Sequence, residues 1–294
     1  MNASLPEFTA PENGELSADM LAAFDEAGVV VLRDFVSVEA CHALRQRMLE
    51  LVDDFDPAEV RSAFSTKTDE HQADDYFVSS GDKIRFFFES GAFDEEGNLV
   101  QSKVDSLNKA GHAMHDIDAV FDRFSRTPEL AGAAKSIGFE EPAIIQSMYI
   151  FKPPRIGGEV LCHQDSTYIY TEPESCVGFW FALEDATVEN GCMHFIPGAH
   201  KEPLRKRNYR DADGRIVNEI VDATPFDLDQ ALPAAAPAGT LVIFDGRAPH
   251  YSAPNTSDRS RHAYTLHAID QACDYPASNW LQRSESLPLR GFES

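Results

Sequence analysis

The chain has 294 residues, of which 43% are hydrophobic, and its formal net charge is −24 at pH 7. This length and hydrophobic content suit one large β-barrel or sandwich domain, and we predict a single domain over residues 1–294. The negative charge argues against non-specific binding to nucleic acid or to an anionic membrane, and no apolar run approaches the ~18 residues that a membrane-spanning helix needs.

The N-terminal residues and the cysteines bear on the compartment. Residues 1–15 have neither the basic start nor the apolar stretch of a signal peptide, and they include several Pro, Glu and Gly residues. We therefore predict a flexible N-terminal lead-in at residues 1–15 and a cytoplasmic protein. The five cysteines are odd in number and form no CxxC pair, so we expect reduced thiols instead of a disulfide framework or a zinc site.

The chain begins with a predicted helix, strand and helix. Helical spacing of apolar residues, with Ser17 as a capping residue and Gly28 as the end, predicts a helix over Leu16–Ala27. The β-branched run Val29–Leu32 predicts a buried strand, and the capping residue Ser37 opens a second helix.

The next hundred residues have a weaker pattern. The polar stretch Asp53–Ala73 is typical of a loop or a mobile lid. Tyr76–Phe77 and Lys83–Phe88 suggest two paired strands joined by a turn. Leu107–Phe124 and Pro128–Ile137 have the spacing of helices, and Gly138 follows the second one.

After Ala143 the pattern changes to short strands separated by turns that contain Pro, Gly and Asn. Helices followed by many short strands predict a mainly β protein with flanking helices, built on a double-stranded β-helix, the jelly-roll or cupin-like core. Lys201–Asp213, which carries five basic residues, is predicted to be an exposed insertion near the barrel opening. The predicted strands lie at residues 144–151, 160–163, 177–183, 194–196, 241–244 and 262–269.

Three residues of this β region have the chemistry of a metal centre. His163 and Asp165 alternate on a predicted strand and would present an imidazole and a carboxylate on one face. His250, just after a later apolar run, is the candidate third ligand. Two histidines and one carboxylate, without a thiolate, suit Fe(II) with positions left open for other ligands. His194 and His200 are the competing ligand candidates.

A basic residue follows the third candidate ligand. Arg261 lies eleven residues after His250, in a segment that alternates Arg261, Ala263, Thr265 and His267 on one predicted face. Because a guanidinium binds a carboxylate through two parallel hydrogen bonds, Arg261 suits the far end of a dicarboxylate co-substrate.

These residues resemble the signature of a known family. His163, Asp165, His250 and Arg261, with Asn255 before the last, are similar to the motif of the phytanoyl-CoA dioxygenase family of Fe(II)/2-oxoglutarate oxygenases. The chain most resembles the branch of phytanoyl-CoA dioxygenase domain-containing proteins. The resemblance extends from about residue 27 to about residue 287, and it is carried further by residues 79–89, 146–152, 189–192 and 196–200.

The resemblance also implies which residues line a 2-oxoglutarate pocket. Lys83 and Ser252 match pocket positions, where an ammonium could neutralise a carboxylate and a hydroxyl could donate a hydrogen bond to it. Met148 and Trp180 match positions that exclude water. Each has a plainer interpretation, as a solvated charge for Lys83 and as core packing for Met148 and Trp180.

The implied activity is that of an Fe(II)- and 2-oxoglutarate-dependent dioxygenase, which uses O₂ to hydroxylate a C–H bond of a small-molecule substrate and releases succinate and CO₂. The carboxylate of Asp165 favours hydroxylation over halogenation. A non-redox cupin-like metal enzyme, such as an isomerase or hydrolase, and a jelly-roll small-molecule binding protein are the alternatives. The predicted core has no basic cluster for the phosphates of coenzyme A, which favours a small polar or anionic metabolite over an acyl-CoA.

Overall fold

A computed structural model describes residues 4–57, 63–64 and 75–293, with only the backbone described at residues 63–64. Its α-helices are α1 (Ala18–Ala27), α2 (Val38–Asp54), α3 (Asp75–Val78), α4 (Met114–Ile117), α5 (Ala119–Ser125) and α6 (Pro128–Ser136). Its strands are β1 (Glu7–Thr9), β2 (Val29–Arg33), β3 (Ala63–Phe64), β4 (Ile84–Glu89), β5 (Leu107–His112), β6 (Pro142–Ile150), β7 (Val160–His163), β8 (Val177–Ala182), β9 (Met193–Phe195), β10 (Lys206–Arg210), β11 (Ile216–Ile220), β12 (Leu232–Ala234), β13 (Leu241–Asp245), β14 (His250–Ser252) and β15 (Ala263–Asp270).

The predicted helix boundaries are confirmed where capping residues set them. The Ser17 hydroxyl accepts a hydrogen bond from the Met20 backbone N–H, and Gly28, at φ +74°, ends α1 in the left-handed conformation that glycine adopts without strain. Ser37 caps α2 in the same way. Helix α6 begins at Pro128, where the missing N–H costs no intrahelical hydrogen bond.

Two sheets form the centre of the molecule. The larger has the strand order β1-β2-β13-β8-β15-β6-β5-β4-β3, and the smaller has the order β12-β9-β14-β7. Strands β10 and β11 form a separate hairpin. The predicted double-stranded β-helix with flanking helices is confirmed.

Alternation along the central strands separates two hydrophobic layers. On β8, Phe179 and Phe181 pack with residues of α1, α2, α5 and α6 on the helical side of the large sheet. Trp180 and Ala182, between them in sequence, pack instead with Phe195 of the small sheet. Each such buried phenylalanine contributes about 1.5–3 kcal/mol from removal of its apolar surface from water. The second layer lies between the sheets, where the candidate ligands are also found.

Two secondary-structure predictions were wrong. Residues 107–112 form strand β5 instead of the start of a helix, because β5 completes the hydrogen bonding of β4 on one side and of β6 on the other. Tyr76 and Phe77 belong to the short helix α3, and the Phe77 ring packs against Phe87 of β4 with ring centroids 5.6 Å apart. Tertiary pairing decided the conformation of these two segments, whose local patterns are ambiguous.

The predicted N-terminal lead-in contains a strand. Strand β1 pairs in parallel with β2, and the Leu5 side chain is buried. Burial of the apolar Leu5 side chain and pairing with the outer edge of β2 together account for the strand in residues 4–15. The predicted loop or lid at Asp53–Ala73 mostly lies outside the described residues, and its first two residues belong to α2.

The predicted exposed insertion at Lys201–Asp213 is only partly exposed. Residues 206–210 form β10, and the Arg205 side chain is buried in ion pairs with Glu202 and Asp222. Arg210 donates hydrogen bonds to backbone carbonyls of Val78 and Trp280. These contacts attach the hairpin to the rest of the chain.

The five cysteines are free thiols, so no disulfide framework forms among them. Burial raises the pKa of Cys41 and of Cys192 to about 11, which keeps both thiols protonated at neutral pH. Among the helices that the structure describes, none has both the length and the apolar composition required to cross a membrane.

Candidate metal centre

Sheet pairing brings two histidines from distant parts of the sequence face to face. Strands β7 and β14 are antiparallel neighbours, and His163 is the register partner of His250. The two ring centroids are 4.3 Å apart. The Nδ1–H of His163 donates to the Leu161 carbonyl at 2.8 Å, and that of His250 donates to the Ala248 carbonyl at 2.9 Å. These hydrogen bonds fix the tautomer and leave both Nε2 atoms as bare acceptors that can bind a metal.

Asp165 completes the cluster, although not as the strand pattern predicted. Strand β7 ends at His163, and Asp165 opens a 3-10 turn, so the two side chains do not alternate along one strand. The turn places Asp165 Oδ1 3.4 Å from His163 Nε2 and 3.7 Å from His250 Nε2. The ligand atoms of the three residues lie within 4.8 Å of one another. A nitrogen, nitrogen and oxygen donor set at this spacing can hold one metal ion.

Gln164, between the two predicted ligands, fastens the segment to its surroundings. Its side-chain amide donates to the Arg247 carbonyl at 2.8 Å and accepts from the Arg205 N–H at 2.9 Å. The side chain is buried, and Arg247 lies three residues before His250. This role was not predicted, since nothing in the local sequence pattern distinguishes Gln164 from a surface residue.

The three side chains strongly affect each other's charge. Burial alone would raise the pKa of the Asp165 carboxyl, but His267, His250 and His163 outweigh it and hold that pKa well below its usual range. Burial lowers the pKa of His163, yet the neighbouring Asp165 carboxylate outweighs it and the net change is a rise. Burial, reinforced by His163, lowers the pKa of His250 to about 4. An ionised carboxylate and a neutral imidazole are the forms that bind metal ions.

His267 is a fourth residue at the centre. Its Nε2 lies 2.8 Å from Asp165 Oδ2, the carboxylate oxygen that does not face the other two histidines. His267 was predicted to share a face with Arg261, without a role of its own. The shared face was the signal that could have indicated one.

Arg261 lies buried beside strand β14, close to two other predicted pocket residues. Its Nε donates to the Gly191 carbonyl at 3.1 Å, and its Nη2 donates to Ser252 Oγ at 3.3 Å. The Trp180 ring lies below the guanidinium, with 5.5 Å from Cζ to the ring centroid. Within the described part of the chain, the buried Nη1 has no hydrogen-bond partner. A buried guanidinium with a free N–H can accept a further anionic group.

Met148 lies in the same row of the large sheet. Thr265 of β15 is the register partner of Met148 on β6 and of Trp180 on β8. Residues paired in this way project from the same face of a sheet, so the three side chains form a wall facing the small sheet. Ser252 and Trp180 thus lie beside Arg261, and Met148 lies in the same row of the sheet as Trp180.

Lys83 does not join this group. Its side chain is 46% exposed, and Nζ contacts the Ser79 carbonyl and the Asp82 carboxylate, both at 2.9 Å. Lys109 of β5 is instead buried; its charge acts on His163, and burial lowers its own pKa to about 7. Lys83 precedes β4 in a turn, whereas Lys109 lies inside a strand between two others, and this difference accounts for their exposure.

Two more buried charges surround Arg261. Burial raises the pKa of Glu89, and burial together with Arg261 lowers the pKa of Lys152 to about 7. Lys152 Nζ donates to the Gly158 carbonyl at 2.5 Å. One acidic and two basic side chains therefore share a buried region, and an additional carboxylate would balance its charge.

The competing candidate ligands are elsewhere. The His194 ring stacks on Tyr251, with centroids 4.8 Å apart, and His200 contacts the Asp25 carbonyl at 3.2 Å. Neither belongs to the group formed by His163, Asp165 and His250.

Comparison with known proteins identifies the family. The family model described as Phytanoyl-CoA dioxygenase (PhyH) matches residues 24–263. The chain belongs to the phytanoyl-CoA dioxygenase family. Its relatives within that family include "Phytanoyl-CoA dioxygenase 1" of Oryza sativa subsp. japonica, which is 46% identical over 275 residues, 93% of this chain and 96% of that protein. They also include "Phytanoyl-CoA dioxygenase domain-containing protein 1" of Danio rerio, which is 44% identical over 90% of this chain and 94% of that protein.

A solved structure extends the likeness to the fold. The epimerase SnoN, crystallised in complex with Fe3+, alpha ketoglutarate and nogalamycin RO, has a TM-score of 0.63 and 15% identity over 92% of this chain and 90% of that chain. At this level of identity, the likeness concerns the arrangement of helices and strands. The matched residues of the phytanoyl-CoA dioxygenase family model include all three residues of the candidate metal centre.

Proposed function

We propose that this protein is an Fe(II)- and 2-oxoglutarate-dependent dioxygenase that hydroxylates a C–H bond of a small-molecule substrate. Bound at the candidate metal centre, Fe(II) and 2-oxoglutarate would supply the O₂-dependent oxidation, with succinate and CO₂ as co-products. The chain's own residues bind and orient these groups and keep water away from them.

The donor set supports iron as the metal. His163, Asp165 and His250 offer two neutral-nitrogen donors and one oxygen donor, with no thiolate among them. This ligand combination is typical of non-haem Fe(II) oxygenases, in which three further positions are open for co-substrate and O₂. Structural zinc sites more often contain cysteine and use all their positions.

The observation that carries the proposal is the free N–H of buried Arg261. A metal-dependent isomerase or hydrolase would use the same three ligands but would have no need for a desolvated guanidinium with an unused donor. Arg261 binds Ser252, which lies two residues after His250 on β14 and therefore about 6.6–6.8 Å further along the same face. This spacing suits a short dicarboxylate with one end at the metal and the other at Arg261.

Other residues complete the co-substrate site. Lys109 replaces Lys83 as the proposed second cation, since it is buried and its charge acts on His163. Ser252 holds Nη2 of Arg261, and so keeps the guanidinium in place for the far carboxylate. Trp180 and Met148 line the wall of the large sheet and exclude water, which strengthens the ionic contacts inside.

The first test is spectroscopic. Fe(II) and 2-oxoglutarate added without oxygen should give a weak visible charge-transfer band in the wild-type protein, and Asp165→Ala should abolish it. Titration with each component separately is the control. Metal-replete protein that gives no band with 2-oxoglutarate would contradict the proposal.

The role of Arg261 is tested by comparing two affinities. Arg261→Leu should weaken 2-oxoglutarate binding about 30-fold or more, since loss of a buried charge partner costs 2 kcal/mol or more, while Fe(II) affinity changes little. Arg259→Leu, at an exposed position two residues earlier, is the matched control. Equal losses of metal and co-substrate binding in Arg261→Leu would be evidence against the assigned role.

The substrate is proposed only as a class. We propose a small polar or anionic metabolite, to be sought by measuring succinate release with a pooled metabolite extract and by mass spectrometry for a product 16 mass units heavier. Phytanoyl-CoA should be included, because relatives bear its name. Succinate release that depends on phytanoyl-CoA alone would overturn the choice of class.

A further inference from the structure

The two oxygens of the Asp165 carboxylate have different partners. Oδ1 faces the Nε2 atoms of His163 and His250, at 3.4 and 3.7 Å. Oδ2 lies 2.8 Å from Nε2 of His267. An ionised carboxylate only accepts hydrogen bonds, so Nε2 of His267 carries the proton and donates the hydrogen bond to Oδ2. One oxygen is therefore directed at the metal centre, and the other is held by a donor.

His267 reaches Asp165 from the opposite sheet. It lies on β15 in the large sheet, whereas Asp165 follows β7 of the small sheet. Its register partners are Gln146 on β6 and Gly178 on β8, so it is held in the middle of three paired strands. The side chain is 3% exposed. A residue this buried, on a central strand, gives Asp165 a rigid contact.

His267 does not itself belong to the ligand group. Among the described residues, the atoms that lie within 4.8 Å of one another come from His163, Asp165 and His250. The Nε2 of His267 is already used by Oδ2, and its buried Nδ1 has no partner among the residues described. Its polar contact in this structure is thus the one with Asp165.

We propose that His267 is a positioning residue that keeps Asp165 as a one-oxygen metal ligand. This inference rests on the metal centre proposed above. Without a donor on Oδ2, the carboxylate can rotate about its Cβ–Cγ bond and offer both oxygens to the cation. The second oxygen would then occupy a position that a chelating co-substrate or O₂ needs. By holding Oδ2, His267 keeps that position open.

The test compares two side chains of similar length that differ in their donor. His267→Gln retains an amide N–H that can reach Oδ2, and His267→Met does not. Co(II) is the probe, measured by calorimetric titration and by its visible absorption, whose intensity falls as coordination number rises. His267→Met should show weaker visible Co(II) absorption, because the released second oxygen of Asp165 raises the coordination number. The lost hydrogen bond to a metal ligand should also lower Co(II) affinity, typically by about 10–100-fold. His267→Gln should recover most of the affinity and the wild-type spectrum.

The outcomes separate this inference from the proposed function. His163→Ala is the negative control and should not bind Co(II). If the wild-type protein also binds no Co(II), the proposed metal centre itself is contradicted. Tight wild-type binding with an unchanged affinity and spectrum in His267→Met would overturn the positioning role while leaving the centre intact. Equal losses in His267→Gln and His267→Met, in metal-free proteins of wild-type urea stability, would show that the ring's shape matters and not its donor, and would also overturn it. If His267→Met does not fold, His267→Gln decides: retained binding supports the role and lost binding contradicts it.

Discussion

Gly178 links the packing between the sheets to the metal centre. It is the register partner of Phe244, and the Phe244 ring lies directly over it. A Cβ added at Gly178 would lie 2.2, 2.5 and 2.6 Å from three atoms of that ring. The same ring packs against His250, with centroids 4.8 Å apart. We therefore predict that Gly178→Ala destabilises the fold and disturbs a metal ligand at the same time.

The expected size follows from these distances. Carbon atoms in contact are separated by about 3.5 Å or more, so the Phe244 ring would have to move by about 1.3 Å from its 2.2 Å position. The ring is fully buried and has little free space. Overpacking of this kind typically costs about 1–3 kcal/mol in the free energy of unfolding. Urea denaturation of the metal-free protein should show a lower midpoint with an unchanged slope.

A second substitution identifies the cause. Phe244→Leu removes the ring atoms that the new Cβ would meet, so the double variant Gly178→Ala/Phe244→Leu should be more stable than the sum of the single effects predicts, by about 0.5–3 kcal/mol. Gly178→Ala should also weaken Co(II) binding, through the displaced ring and His250. Wild-type stability in Gly178→Ala, or strictly additive single effects, would refute the reasoning.

Three further predictions concern buried charges. The Asp116 side chain is buried among Arg126, Arg283 and the more exposed Arg290, so Asp116→Ala should lower the free energy of unfolding by about 3–5 kcal/mol in urea titrations. Burial alone would raise the pKa of Asp116, but His115 and these arginines outweigh it and lower that pKa below its ordinary 3.8. The stabilisation that the ionised carboxylate provides is therefore present above pH 3.8 and is lost as the pH falls. In acid titration, Asp116→Asn should lose less unfolding free energy between neutral and acidic pH than the wild type does. Lys109→Met should weaken 2-oxoglutarate binding in a calorimetric titration, whereas Lys83→Met should not; the reverse result would restore the sequence-based assignment.

Local sequence determined much of the fold. Ser17 and Ser37 cap their helices by hydrogen bonds to backbone groups three residues away, so neighbouring residues suffice to predict where these helices begin. The short, nearly uninterrupted apolar runs of β8 and β13 likewise predict strands. Residues 107–112 were misjudged because their pattern suits either a helix or a strand, and the choice depends on the open edges of β4 and β6.

The types of residue in the candidate centre were also readable from the sequence, but their arrangement was not. The sequence determined that two histidines, one aspartate and an arginine were available to hold a metal and a dicarboxylate. Only the tertiary structure decided that His163 faces His250 across β7 and β14, that Lys109 is buried while Lys83 is exposed, and that His267 holds Asp165. The physical reason is that caps and strand patterns depend on neighbouring residues, whereas these contacts depend on strand order and register between segments about a hundred residues apart.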